Sequence, residues 1–289
     1  MKKQVVFITG GSSGMGKITA NRLNDAGYIV YTGARRLKKM DDLKANGVNI
    51  LSLDLTNEQS IRKAVDEIVE KEGHIDILIN NAGYGSYGAL EDVPIEEAKR
   101  QFEVNIFGLA KLTKFVLPHM REQRFGKVVN ISSIGGKVYE PLGSWYHATK
   151  FALEGLSDSL RLEVSKFGID VIIIEPGGIK TEWSNISADN LLKTSGDTAY
   201  ADIAHSMSNM FKNSNSGADP DVIAKIIEKA LKAKRPKTRY VGGFAAKPMI
   251  FIRKLLSDKL FDRFMMTSLK LMGRSKLEIA KIRIEKNKF

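Results

Sequence analysis

The chain has 289 residues, 43% of them hydrophobic, enough for one large core with a carboxy-terminal elaboration. It contains no cysteine, which excludes disulfide frameworks, thiolate metal sites and cysteine nucleophiles and fits a reducing cytoplasm. The net charge of +12 is unevenly placed: residues 231–289 hold 17 Lys and Arg against four acids, so the first 230 residues are close to neutral.

In chain order, the apolar run Val5–Ile8 is too short for a signal-peptide core and reads as a buried strand over Gln4–Ile8. A glycine turn follows, then a helix over Met15–Ala26 and a second strand over Tyr28–Ala34. Further strand-like runs lie at Asn49–Leu55, Ile75–Asn81, Lys127–Ser133 and Asp170–Pro176. Helical patterns separate them at Asn57–Lys71, Pro94–Gln123 and Ser144–Phe167, and Thr56 and Gln59 have capping-box spacing. This alternation predicts an α/β fold with a single doubly wound parallel sheet and helices on both faces, because each crossover must return the chain to the same side. Residues 1–240 then form the catalytic body, including a polar substrate loop over 183–219, and residues 241–289 form a basic amphipathic extension. Within that extension, Pro248–Met272 mixes apolar residues with Arg253, Lys254, Lys259 and Arg263, so no uncharged run approaches the roughly 18–20 residues needed to span a bilayer. The favoured reading is helices packed over the cleft or a subunit partner, with contact to anionic lipid as the alternative.

Ligands of such a sheet bind beyond the carboxyl ends of its strands, and the notable residues cluster there. Gly10, Gly14 and Gly16 follow the first strand, where they allow a tight turn and close approach to a pyrophosphate at a helix N-terminus. Tyr146 and Lys150, four apart, share one helix face, so a phenol and an ammonium group can point into one space, where the charge should depress the phenol pKa. His147 points away from that face and reads as a surface or interface residue. Ser132 reads as structural. The four histidines lack metal-ligand spacing, and no metal is expected.

The pattern T-G-x3-G-x-G at Thr9–Gly16 resembles that of the short-chain dehydrogenase/reductase family, a Rossmann-fold family, and the resemblance covers about residues 3–183. Its N-N-A-G motif is matched at Asn80–Gly83, its asparagine at Asn105, its serine at Ser133 and its Y-x3-K at Tyr146 and Lys150. The closing P-G-x3-T segment is matched at Pro176–Thr181. The resemblance implies Ser133, Tyr146, Lys150 and Asn105 as the catalytic set: a hydrogen-bond donor, a general acid, the partner of the nicotinamide ribose and the support of a water relay. It implies cofactor contacts from Gly10, Ser12, Ser13, Gly14, Met15, Gly16, Arg35, Asp54, Asn81, Gly83, Tyr146, Lys150, Ile179 and Thr181.

The second strand ends at Ala34, where NAD-preferring enzymes place an acid, and Arg35 and Arg36 follow; an arginine there pairs with a 2′-phosphate, so the expected cofactor is NADP(H). Tyr84, Tyr87, Tyr139, Trp183 and the stretch Met207–Phe211 suggest an apolar substrate site, and Asn80–Gly88 with the extension resembles the hydroxysteroid and retinol dehydrogenase branch. The expected function is NADP(H)-dependent interconversion of a lipophilic ketone or aldehyde and an alcohol, in a cytoplasmic homo-oligomer that binds no nucleic acid. The alternative is an NADP-binding sensor or scaffold without turnover, against which an intact Ser133, Tyr146 and Lys150 set argues.

Overall fold

Every strand expected from the apolar runs forms, and all run parallel. The computed structural model describes residues 3–212 and 217–272. Its strands are β1 (Val5–Thr9), β2 (Ile29–Ala34), β3 (Asn49–Ser52), β4 (Ile77–Asn80), β5 (Gly126–Ile131), β6 (Ile169–Pro176) and β7 (Arg239–Gly242), in the order β3-β2-β1-β4-β5-β6-β7. The order reverses between β1 and β4, the crevice where ligands of such sheets bind.

Alternation along the strands fills two cores. Val5 and Phe7 of β1, with Leu78, Val128 and Val171, face the helices α3 (Glu58–Glu72) and α5 (Leu109–Glu122). Val6 and Ile8, with Ile77, Ile79, Val129 and Ile172, face α1 (Gly14–Asp25) and α9 (Asp221–Lys232). A forked ion pair joins those last two helices: Arg22 donates to Asp221 at 2.8 and 2.9 Å and to Glu228 at 3.1 Å.

Several local expectations shift. The cap of α3 is Asn57, whose Oδ1 accepts from the Ser60 amide at 3.0 Å, because the Thr56 hydroxyl donates to Asp54 instead. The single helix expected over Pro94–Gln123 divides into α4 (Ile95–Phe102), a π-helical segment over Glu103–Gly108, and α5. Gly108 is required there, since a Cβ would lie 2.3 Å from the Leu55 carbonyl oxygen. The expected polar loop over 183–219 contains two helices, α7 (Glu182–Ser195) and α8 (Ala201–Lys212); residues 213–216 lie outside the described residues. The Ser, Asn and Asp content of α7 hides its helical face, but Ala188 and Leu191 are fully buried.

The sequence reading missed β7, which lies across the expected 240/241 boundary. It is a short, half-buried edge strand that pairs with β6 and is also tied by charge: Arg239 donates to Glu154 at 3.0 Å and Asp158 at 2.6 Å, with Glu175 3.3 Å away, and Lys137 lies 2.8 Å from Glu154. After β7 come α10 (Ala246–Leu255) and α11 (Asp258–Met272); residues 273–289 of the extension lie outside the described residues. Phe261 of α11 is fully buried and packs edge-on against Tyr139, whose hydroxyl donates to Asp262 at 2.9 Å. Leu269 is buried in a cluster with Ala188, Leu191 and Met207, so the inner side of α11 covers α7 and α8. Among the described residues, no helix is long and apolar enough to cross a membrane.

Candidate active site

The glycine turn after β1 has the backbone its sequence demands. Gly10 and Gly14 adopt φ of 78° and 56°, left-handed values that favour glycine, and at Gly16 a Cβ would sit 2.5 Å from the Gly10 carbonyl oxygen. Ser13 is the N-cap of α1 but makes no capping bond, so the first amides of α1, at Gly14, Met15 and Gly16, have no side-chain partner. That cradle of amides with no Cβ in the way fits a pyrophosphate. Asn81 braces it from β4: its side-chain amide donates to the Thr9 carbonyl at 2.9 Å, and the Thr9 hydroxyl accepts from the amides of Asn81 and Ala82. Thr181 caps α7 and faces Gly14, where a Cβ would come 3.5 Å from its methyl group; Ile179 pairs with Ala218 just before it.

The two arginines after β2 are exposed and diverge. Arg36 donates to the Ser12 hydroxyl at 3.2 Å, on the glycine turn itself. Arg35 lies beside Asp54 and Tyr84. Burial raises the Asp54 carboxyl, but hydrogen bonds from the Thr56 amide and hydroxyl, with Arg35 nearby, bring it below the usual value. Sequence reasoning singled out Arg35; the contact of Arg36 with the turn depends on how the chain leaves β2 and has no signature in spacing.

Ser133 lies two residues beyond β5, and Tyr146 and Lys150 lie on α6 (Ser144–Val164), with the Lys150 ammonium nitrogen 5.9 Å from the phenol ring centre. The Ser133 hydroxyl accepts from the Gly135 amide at 3.0 Å and lies beside the Tyr146 phenol. In the protein alone the phenol lies above its ordinary value, not below it as the nearby Lys150 charge led one to expect. Burial pushes Tyr146 up to about 12, the Ser133 hydrogen bond opposes this, and Glu140 adds to the rise. Burial also brings Lys150 down to about 8, while Glu154, one turn along α6, opposes that fall. The Lys150 ammonium donates to the Ile131 carbonyl at 2.9 Å, so its charge is directed at the end of β5.

Asn105 lies buried in the π-helical segment. Its side-chain amide donates to the Tyr84 carbonyl at 2.9 Å and the Thr149 hydroxyl at 3.1 Å, and its Oδ1 accepts from the Tyr84 amide. It thereby ties the loop after β4 to α6, and Gly83 leaves room for it: a Cβ there would be 3.1 Å from Oδ1.

His147 is 7% exposed, against the expectation of a surface position. One ring nitrogen lies 2.9 Å from the Gly135 carbonyl oxygen and the other accepts from the Glu140 amide at 3.1 Å, so it holds the loop between Ser133 and Tyr146. The face opposite Lys150 points into this loop rather than to solvent. Ser132 is buried, and its amide donates to the Ile174 carbonyl at 2.8 Å.

An aromatic cluster surrounds the phenol. Tyr87 and Trp183 have ring centres 5.5 and 5.7 Å from Tyr146, and Phe211 lies 5.1 Å from Tyr87 and 6.0 Å from Trp183. Gly85 packs beneath, where a Cβ would be 2.7 Å from the Trp183 ring. The buried Tyr87 donates to Glu140 at 2.9 Å. Of the four aromatics expected at the substrate site, Tyr87 and Trp183 reach it, Tyr84 lies toward Glu97 and Arg100, and Tyr139 packs on α11. A surface groove of about 1040 Å³, lined by Tyr28, Lys127, Asp170 and Lys232, lies at the amino ends of the strands, away from these groups. Lys127 uses its ammonium there to close α9, donating to the Leu231 and Ala233 carbonyls, which makes this end structural. Among the described residues no cluster of His and acids could hold a metal ion.

Residues 4–191 match the family model for short chain dehydrogenases. A 3-ketodihydrosphingosine reductase of Bacteroides thetaiotaomicron is 40% identical over 245 residues, 84% of this chain and 89% of that one. An NADPH-dependent 3-dehydrocapnine reductase of Ornithobacterium rhinotracheale is 34% identical over 91% of this chain and 96% of its own. A solved short-chain dehydrogenase from Streptomyces avermitilis aligns with a TM-score of 0.75 at 32% identity, over 93% of this chain and 95% of that one. With the sheet order, the glycine turn and the ordered motifs, these matches make the chain a member of the short-chain dehydrogenase family of oxidoreductases.

Proposed function

We propose that the protein is an NADP(H)-dependent oxidoreductase that interconverts a lipophilic ketone and its alcohol. The observation that carries this reading is the convergence of Ser133, Tyr146 and Lys150 beneath an aromatic cluster, at the same end of the sheet as the glycine turn. NADPH, when bound, supplies the hydride. Tyr146, which burial keeps protonated far above neutral pH, gives its phenolic proton to the oxygen of the carbonyl being reduced. Ser133 donates to the same oxygen and fixes its place. Lys150 holds the ribose of the cofactor and its positive charge favours the phenolate left after transfer. Asn105 keeps the β4 loop and α6 in register, so the phenol does not drift from the reacting centre.

The choice of NADP(H) is supported by Arg35 and Arg36, two guanidinium groups with no acid at Ala34 to repel a 2′-phosphate, and by the NADPH-dependent relative. The lipophilic substrate is supported by the Tyr87, Trp183 and Phe211 cluster and by two relatives whose names describe keto-substrate reductases. Self-association, checked by mass in solution, is supported by exposed Phe107 and Phe151 and by an apolar groove of about 410 Å³ lined by Phe102, Phe107 and Trp145. The deciding experiment follows NADPH oxidation with 3-ketodihydrosphingosine and with ketones of graded chain length. Turnover rising with chain length is expected; absence of turnover on every carbonyl, with NADPH still bound, would favour the sensor reading instead.

A further inference from the structure

The outward faces of α10 and α11 combine exposed apolar side chains with unpaired positive charge. On α10, Phe251 and Leu255 are 61% and 67% exposed beside Lys247 and Lys254. On α11, Leu260 and Leu271 are 50% and 58% exposed beside Lys259, Arg263 and Lys270. Spacings of three, four and seven place each group on one side of its helix. Of the acids of these helices, Asp258 pairs with Arg253 at 2.6 Å, and Asp262 accepts from the Tyr139 hydroxyl at 2.9 Å and keeps its charge, one carboxylate against four cations. Lys247, Lys259, Arg263 and Lys270 have no salt-bridge partner among the described residues. The sequence continues this bias, with six Lys and Arg against two acids over 273–289.

We propose that this two-helix face docks on the surface of an anionic lipid bilayer. With 10 and 15 residues, the helices are too short to cross it, and their composition suits the interface: Phe and Leu enter the acyl boundary while the flanking cations meet headgroup phosphates. Charge complementarity selects this occupant. A second copy of the same face would bring like charges together, and a nucleic acid would gain nothing from Phe251 and Leu255. The two expectations for the segment occupy opposite sides: the inner side of α11 covers the aromatic cluster through Leu269, and the outer side is left for lipid. The proposal stands without the reductase reading, since it uses no residue of the catalytic set.

The test sediments the full chain with vesicles of phosphatidylcholine alone and with about 30% phosphatidylglycerol. Binding is expected only with the anionic lipid, and raising salt from about 0.1 M to about 0.5 M should weaken it roughly tenfold or more, as screening shortens. Two surface variants, K254Q/K259Q/R263Q and F251S/L255S, should each lower the bound fraction about tenfold while thermal unfolding stays unchanged. Equal binding to neutral vesicles, or sedimentation at background with all vesicles, would overturn the proposal. So would a change in oligomer mass or DNA binding with the same variants and no vesicle binding, which would assign the face to a second copy or to nucleic acid.

Discussion

In the proposed reaction, one hydroxyl group at Tyr146 separates general acid catalysis from mere cofactor binding. Tyr146→Phe keeps the ring against Tyr87 and Trp183 but removes the proton, so kcat for carbonyl reduction should fall by about 10²- to 10⁴-fold while NADPH affinity, read by fluorescence titration, stays near that of the parent. A variant with more than about a tenth of parental kcat would reject the assignment. The arginines separate by the same logic. Arg35→Ala and Arg36→Ala should each raise the KM for NADPH roughly ten- to a hundredfold, the loss of one charge-assisted contact of about 1.5–3 kcal/mol, with little effect on NADH. Equal loss with both cofactors would mark the side chain as structural. The family's ordered motifs singled out Ser133, Tyr146 and Lys150 as candidates, and the Y-x3-K spacing places the last two on one helix face. The phenol's raised pKa was not legible, because it comes from burial by residues distant in sequence, with Glu140 adding to it.

The elements that hold the site show where sequence patterns stop being informative. The π-helical segment at Glu103–Gly108 interrupts a continuous helical pattern, and only tertiary demands explain it: Gly108 meets the Leu55 carbonyl while Asn105 reaches Tyr84 and Thr149. His147 was misread because a residue beside the catalytic face of a helix points away from that face, and nothing local says whether solvent or a loop lies there. Its two ring nitrogens hold the Gly135 carbonyl and the Glu140 amide. His147→Leu leaves both backbone groups buried without that partner, at a cost of about 1–3 kcal/mol. Thermal unfolding should fall by several degrees, and kcat should drop with the misplaced Ser133 loop, while NADPH affinity is kept because the glycine turn is untouched. Unchanged kcat and unchanged unfolding would show that the loop holds itself. The body's strands were legible because their Val and Ile runs carry the signal themselves. β7 was not, since its four residues depend on Arg239 finding Glu154, Asp158 and Glu175 across the fold.

Across the whole molecule, placing an ammonium group in the cleft lowers stability in a pH-dependent way. The folded-state pKa of Lys150 is about 8, below its ordinary 10.5, so between these values the unfolded chain binds more protons and stability rises with pH. Below about 8 the burial penalty is present in full. Lys150→Met should therefore be more stable than the parent at neutral pH, by about 1–3 kcal/mol given that Lys150 keeps partial exposure, even as carbonyl reduction is lost. Denaturant melts near pH 7 and near pH 10 check this, and the advantage should shrink at the higher pH. A variant less stable than the parent at neutral pH would mean that the bond to the Ile131 carbonyl outweighs the burial of charge.

The order of elements along the chain has a consequence for synthesis. The glycine turn, Ser133, Tyr146 and Trp183 all precede residue 184, but α8 and α11, which supply Met207, Phe211 and Leu269 to the apolar cluster, are made later. At the usual elongation rate of about 5–20 residues per second, roughly 5–20 seconds separate Trp183 from Leu269. During that interval the nascent chain holds β1 to β6 while the apolar ground around Tyr146 lacks its later covering side chains, and such transiently exposed surface is prone to aggregation.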